Sequence, residues 1–94
     1  MALETIPYDS ADFLDSPDAI AAYIEAAFED GDPAVITHAL GVVARAKGMS
    51  DLARSAGVTR EALYKALTAE GDPKLSTFIG VLKALGLRIT ARAA

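Results

Sequence analysis

Apolar residues recur along this chain at helical spacing, between punctuation that starts and stops helices. Ile20, Tyr23, Ile24, Ala27 and Phe28 fall at i, i+3, i+4, i+7 and i+8, which predicts a helix with one buried face. Ser16-Pro17-Asp18 opens it, with Ser as the N-cap, Pro at the first helical position and an acid in the first turn; Gly31 stops it. Asp32-Pro33 repeats the start signal, and Ile36, Ala39, Leu40, Val43 and Ala44 form a second stripe that ends at Gly48. Two shorter helices fit between Gly48 and the Gly71-Asp72-Pro73 break. Leu75, Phe78, Ile79, Leu82 and Leu85 then make a last stripe, stopping at Gly86.

The two ends read differently. In residues 87–92 the period drops from helical to alternating: Leu87, Ile89 and Ala91 interleave with Arg88, Thr90 and Arg92, a strand pattern. A lone strand leaves its backbone donors unpaired, so this one needs a neighbour. The candidates are the same strand of a second subunit or the "LETI" segment near the N-terminus. The second subunit is the economical choice, which makes the last helix and tail, through Leu82, Leu85, Leu87, Ile89 and Ala91, the expected dimer interface. Residues 1–15 read as an extended arm, with Tyr8, Phe13 and Leu14 as anchors. The chain of 94 residues is thus expected to be one all-α domain. It comprises an arm (1–15), an acidic helix (16–31), a core (32–86) and a terminal strand (87–92).

The stretch "MSDLARSAGVTREALYKAL", 49–67, has a more particular pattern. Ser50 is placed to cap a short helix whose Leu52, Ala53 and Ala56 face inward. Gly57 sits where that helix must end, in a left-handed conformation that is cheapest for glycine. Val58 plugs the corner, and Thr59 caps a second helix running from Arg60 to about Thr68. Leu63, Ala66 and Leu67 point inward, while Arg60, Glu61, Tyr64, Lys65 and Thr68 form an outward polar stripe. This matches a helix-turn-helix at 50–68, whose second helix enters the major groove of DNA. An ordinary pair of short helices in a helical bundle is the alternative, but it leaves the polar stripe without a reason.

The stripe suits base and phosphate contacts. Arg60 can fork onto guanine, and Lys65 can meet guanine or phosphate. Glu61 can accept from a cytosine amino group or orient Arg60, and Tyr64 offers a hydroxyl and a ring. Ser50, Arg54, Thr59, Thr68 and Lys74 complete the candidate DNA-binding set, with Thr59, Arg54 and Lys74 best placed for the backbone. A merely solvated helix face is the alternative for Arg60, Glu61 and Lys65.

Charge complicates the picture, because the chain carries a net −4. The acids are not evenly spread. Residues 1–40 hold nine acids and no Lys or Arg; residues 41–94 hold four acids and nine bases, a net of +5. The acidic half is either solvated surface or a face for a different partner.

Little favours catalysis. His38 is the only histidine and there is no Cys, so neither a metal site built on those ligands nor a Ser–His–Asp set is credible. The glycines are scattered, most of them at helix ends, and form no phosphate loop. Asp12, Asp15 and Asp18 lack the glycine and terminal Glu of an EF-hand. No cofactor, metal or enzymatic activity is expected. No apolar run is long enough to span a bilayer and no secretory signal is visible, so a cytoplasmic protein without membrane partners is expected.

"MSDLARSAGVTREALYKALTAEGDPKLSTFIGVLKALGLRI" resembles the addiction-module antidote proteins of HigA-like type, within the wider lambda-repressor-like helix-turn-helix group. "LARSAGVTREALYKAL" is similar to the core of that motif and "GDPKLSTFIGVLKALGLRI" to its last helix and terminal strand, while the acidic segment from "YDSADFLDSPDAI" onward resembles an entry helix that this subgroup adds. One departure is the short "MSDLA" lead-in, without the Gln that opens the first helix in many such repressors; Ser50 is its nearest substitute. The resemblance implies a five-helix lambda-repressor-like domain. It also implies a dimer that represses its own operator and neutralises a small basic toxin, a RelE/HigB-like ribonuclease. A stand-alone repressor with no toxin is the runner-up, and a helical adaptor that has lost DNA binding is the reading that the net acidity favours.

Overall fold

The computed structural model describes residues 16–94. Five helices follow in chain order: α1 (Pro17–Asp30), α2 (Pro33–Lys47), α3 (Met49–Ala56), α4 (Arg60–Ala66) and α5 (Leu75–Ala84). The expected punctuation accounts for most boundaries. The Ser16 hydroxyl accepts from the Ala19 N–H at 3.1 Å, the Asp32 carboxylate from the Ala34 N–H at 3.0 Å, and the Thr59 hydroxyl from the Ala62 N–H at 3.0 Å. Each satisfies one donor that a helix start leaves orphaned. Gly57 takes φ 76° between α3 and α4, a conformation that strains any residue with a Cβ.

The helices pack as a chain of neighbours: α1 on α2, α2 on α3, and α3 on both α4 and α5. Ile20, Ile24 and Ala27 of α1 meet Leu40, Val43 and Ala44 of α2; Leu52, Ala53, Leu63, Leu67, Val81, Leu82 and Leu85 continue the same core. Small residues set the closest approaches. A Cβ on Gly41 would collide with the Leu67 carbonyl oxygen, and one on Gly80 would lie 3.0 Å from the Ala56 Cα. Backbone contact at these points leaves no room for even a methyl group.

Four expectations need correcting. Ser50 does not cap α3: the helix begins two residues earlier than that cap implies, after Gly48, with no side-chain cap, because buried Met49 anchors its start and leaves Ser50 exposed in the first turn. The second helix of the pair, α4, ends at Ala66 rather than about Thr68. In α5, Leu75 is 70% exposed, and the buried positions are Thr77, Val81 and Leu82, with Leu85 buried at the C-cap, so Val81 takes the place that Leu75 was expected to hold. Finally, among the described residues there is no strand: residues 87–92 have no regular structure. Leu87 donates its N–H to the Leu82 carbonyl at 2.9 Å, and no further backbone hydrogen bond holds the tail to the described chain. The physical reason is the one that made the strand conditional: the described residues offer no neighbouring strand here. The expected arm, residues 1–15, lies outside the described residues, as do Asp12 and Asp15.

Candidate nucleic-acid interface

α4 is a seven-residue helix fixed at three points. Thr59 caps its start, Leu63 is fully buried beneath it, and Leu67 closes its end at 1% exposure. Such a short helix is marginal alone and is held by its packing. The residues not used for packing all face outward: Arg60, Glu61, Tyr64 and Lys65 are exposed, with Tyr64 at 47%. The polar stripe is therefore a real surface on a positioned helix.

A cleft of about 490 Å³ opens beside this stripe, lined by Arg45, Gly48, Met49, Ser50, Asp51, Arg60 and Tyr64. It brings together Ser50, Arg60 and Tyr64 from the expected set. It also adds Arg45, in the last turn of α2, which the sequence pattern did not single out. The available signal was a base three residues before the Gly48 stop, four ahead of the paired helices. Two guanidinium groups and a phenol around one concavity match the donor geometry that phosphate and guanine accept.

The remaining candidates are placed less uniformly. Arg54 is ion-paired to Asp51 at 3.2 Å, both side chains being about three-quarters exposed; it is the one salt bridge among the described residues. A pair so exposed contributes little and opens readily to another anion. Thr59 has its hydroxyl oxygen on the α4 cap, and Thr68 donates its hydroxyl to the Lys65 carbonyl at 3.1 Å, closing the other end of α4. Lys74 is exposed at the start of α5, away from the cleft lining. Of the expected dimer residues, Leu82 and Leu85 are only 2% and 6% exposed within this chain's own core, which leaves Leu87, Ile89 and Ala91 as the surface available to a second subunit. Both leucines belong to the apolar stripe of the last helix, and the chain's own core takes that stripe up.

Among the described residues no helix is long and apolar enough to cross a membrane. What the fold and its surface define is a small all-helical domain that presents one short, capped helix with a polar outer face. A family model described as "probable addiction module antidote protein" matches residues 4–93, so the chain belongs to that family. An uncharacterized protein of Haemophilus influenzae is 42% identical over 81 residues, spanning 86% of this chain and 84% of the relative. No solved structure matches. Membership implies the role of an antidote, an antitoxin with a toxin partner, and the family is one of antidotes rather than enzymes.

Proposed function

We propose that the protein is a HigA-like antitoxin of lambda-repressor-like helix-turn-helix type. In this reading it neutralises a RelE/HigB-like ribonuclease toxin and, as a dimer, represses its own operon. The observation that carries the reading is the exposed Arg60, Glu61, Tyr64 and Lys65 face of α4, held by Thr59 and Leu63 in a member of an antidote family. α3 and α4, joined through left-handed Gly57, correspond to the two helices of the motif, with α4 as the recognition helix. Arg60 and Lys65 read bases; Tyr64, Arg45, Ser50, Arg54 and Lys74 position the backbone. Thr59 and Thr68 act chiefly by fixing the two ends of α4. Two copies then address half-sites about one helical turn apart, the usual geometry for this motif.

The acidic N-terminal half suits the other task. A ribonuclease toxin is basic, because it must hold RNA, and complementary potentials speed and orient association. The test is co-expression with the small basic reading frame next to the gene. Wild-type chain restores growth and copurifies with that product, and Arg60→Ala with Lys65→Ala still does both. Loss of rescue in that double variant would mean that the α4 face, not the acidic half, meets the toxin. No rescue by the wild-type chain would remove the antitoxin reading.

A further inference from the structure

A second concavity, of about 350 Å³, lies on α1, between that helix and the C-terminal tail. Its apolar lining comes from Ile24, Phe28, Leu82 and Leu87. One wall carries Glu25 and Glu29, and the tail wall carries Arg88 and Arg92. Among the described residues none of these four charges is ion-paired, and all four are exposed. Beyond Leu87 the tail makes no backbone hydrogen bond to the described chain, and Ile89 stands 47% exposed at the groove.

We infer that this groove receives the tail of a second copy of the chain, with Arg88 and Arg92 of each copy set against Glu25 and Glu29 of the other. The charge arrangement selects this occupant. A patch with an acidic wall, an apolar floor and a basic wall is complementary to itself after a two-fold rotation, which is the condition for an isologous interface. A basic partner would leave Arg88 and Arg92 unmatched, and an acidic one would leave Glu25 and Glu29 unmatched. The groove has room for a few side chains, as an extended segment requires. Tail-to-tail pairing also satisfies the backbone groups that the described residues leave open. Part of the acidic half is thereby given to dimerisation. The inference rests on the dimer of the proposed function and adds the contacts that hold it.

The test is the oligomeric state of two charge-reversed chains, alone and mixed, by sedimentation equilibrium. One chain carries Glu25→Lys and Glu29→Lys; the other carries Arg88→Glu and Arg92→Glu. Because the positions are exposed, both fold, as helical circular dichroism verifies. Each alone places like charges across the interface, and its dimer dissociation constant rises by roughly tenfold or more. Mixed in equal amounts they form a heterodimer of near wild-type affinity, since every contact becomes attractive again. Repulsion confined within one chain could not be relieved by mixing. Variants that dimerise as tightly as wild type, or a mixture that stays monomeric, would overturn the inference; a groove filled by residues 1–15 or by a toxin gives the first result. A wild-type chain that is itself monomeric would overturn the dimer reading as well.

Discussion

α1 and α4 are both amphipathic helices with one apolar stripe and one wet face, yet they face the solvent with opposite characters. α1 has fourteen residues and three buried anchors, Ile20, Ile24 and Ala27, and its charges are Asp18, Glu25, Glu29 and Asp30, with no base. α4 has seven residues with a single buried side chain inside it, Leu63, and its charges are Arg60, Glu61 and Lys65. They have different main neighbours: α1 packs on α2, and α4 on α3. The difference explains how a chain of net charge −4 still carries a helix face on which bases outnumber acids. Total charge averages over two faces that two different helices present. Attraction between exposed charges is screened within about 8–10 Å at ordinary salt, so the local face counts for more than the sum.

The comparison breaks most sharply in the core. Leu63→Ala and Ile24→Ala each remove a buried aliphatic side chain, and each costs about 2–5 kcal/mol in urea unfolding. Their functional effects should separate. Leu63 is the one buried anchor inside α4, so its loss abolishes operator binding even where the chain remains folded. Ile24→Ala, studied where the protein is still native, leaves operator binding in place. Equal loss of DNA binding in both would show that the two faces are not independent.

A smaller effect sharpens the same contrast. Gly41→Ala sets a methyl group against the Leu67 carbonyl at the end of α4, and overpacking of this kind costs about 1–3 kcal/mol. Hydrogen exchange should rise first at α4 amides, with α1 amides following only the global change. Uniform acceleration would contradict the placement of the strain. Smaller still are the caps. Ser16→Ala and Thr59→Ala each remove one side-chain hydrogen bond to a helix start, at about 1 kcal/mol by thermal unfolding. Only Thr59→Ala weakens operator binding, because only that cap positions the α4 face.

These residues also show how much was legible in the amino-acid sequence. Ser16, Asp32, Thr59 and Gly57 act locally, through hydrogen bonds and dihedral angles within a few residues, and their roles were readable from spacing. So was the outward stripe of α4, since a helix has a fixed period. What depends on contacts between distant segments was not readable. Ser50 looked like a cap, but burial of Met49 moved the helix start. Leu75 looked like core, but the approach of Gly80 to Ala56 turns α5 so that Val81 is buried instead. Leu82 and Leu85, expected at a dimer interface, lie in this chain's own core, because the stripe they belong to packs within the chain. Arg45 belongs to a different helix from Arg60, and only the packing of α2 against α3 brings it to the cleft.

The central claim is that the α4 face reads DNA. It is tested most directly by titrating the gene's own upstream DNA, followed by fluorescence anisotropy at two salt concentrations. Wild-type chain should bind that DNA in preference to an unrelated duplex, with affinity falling steeply as salt rises. Arg60→Ala should weaken specific binding by roughly tenfold and relax the preference, because a guanidinium fork on guanine contributes about 1–3 kcal/mol of discrimination. Absence of any preference for the upstream DNA, or an Arg60→Ala chain that binds and discriminates as wild type does, would contradict the account.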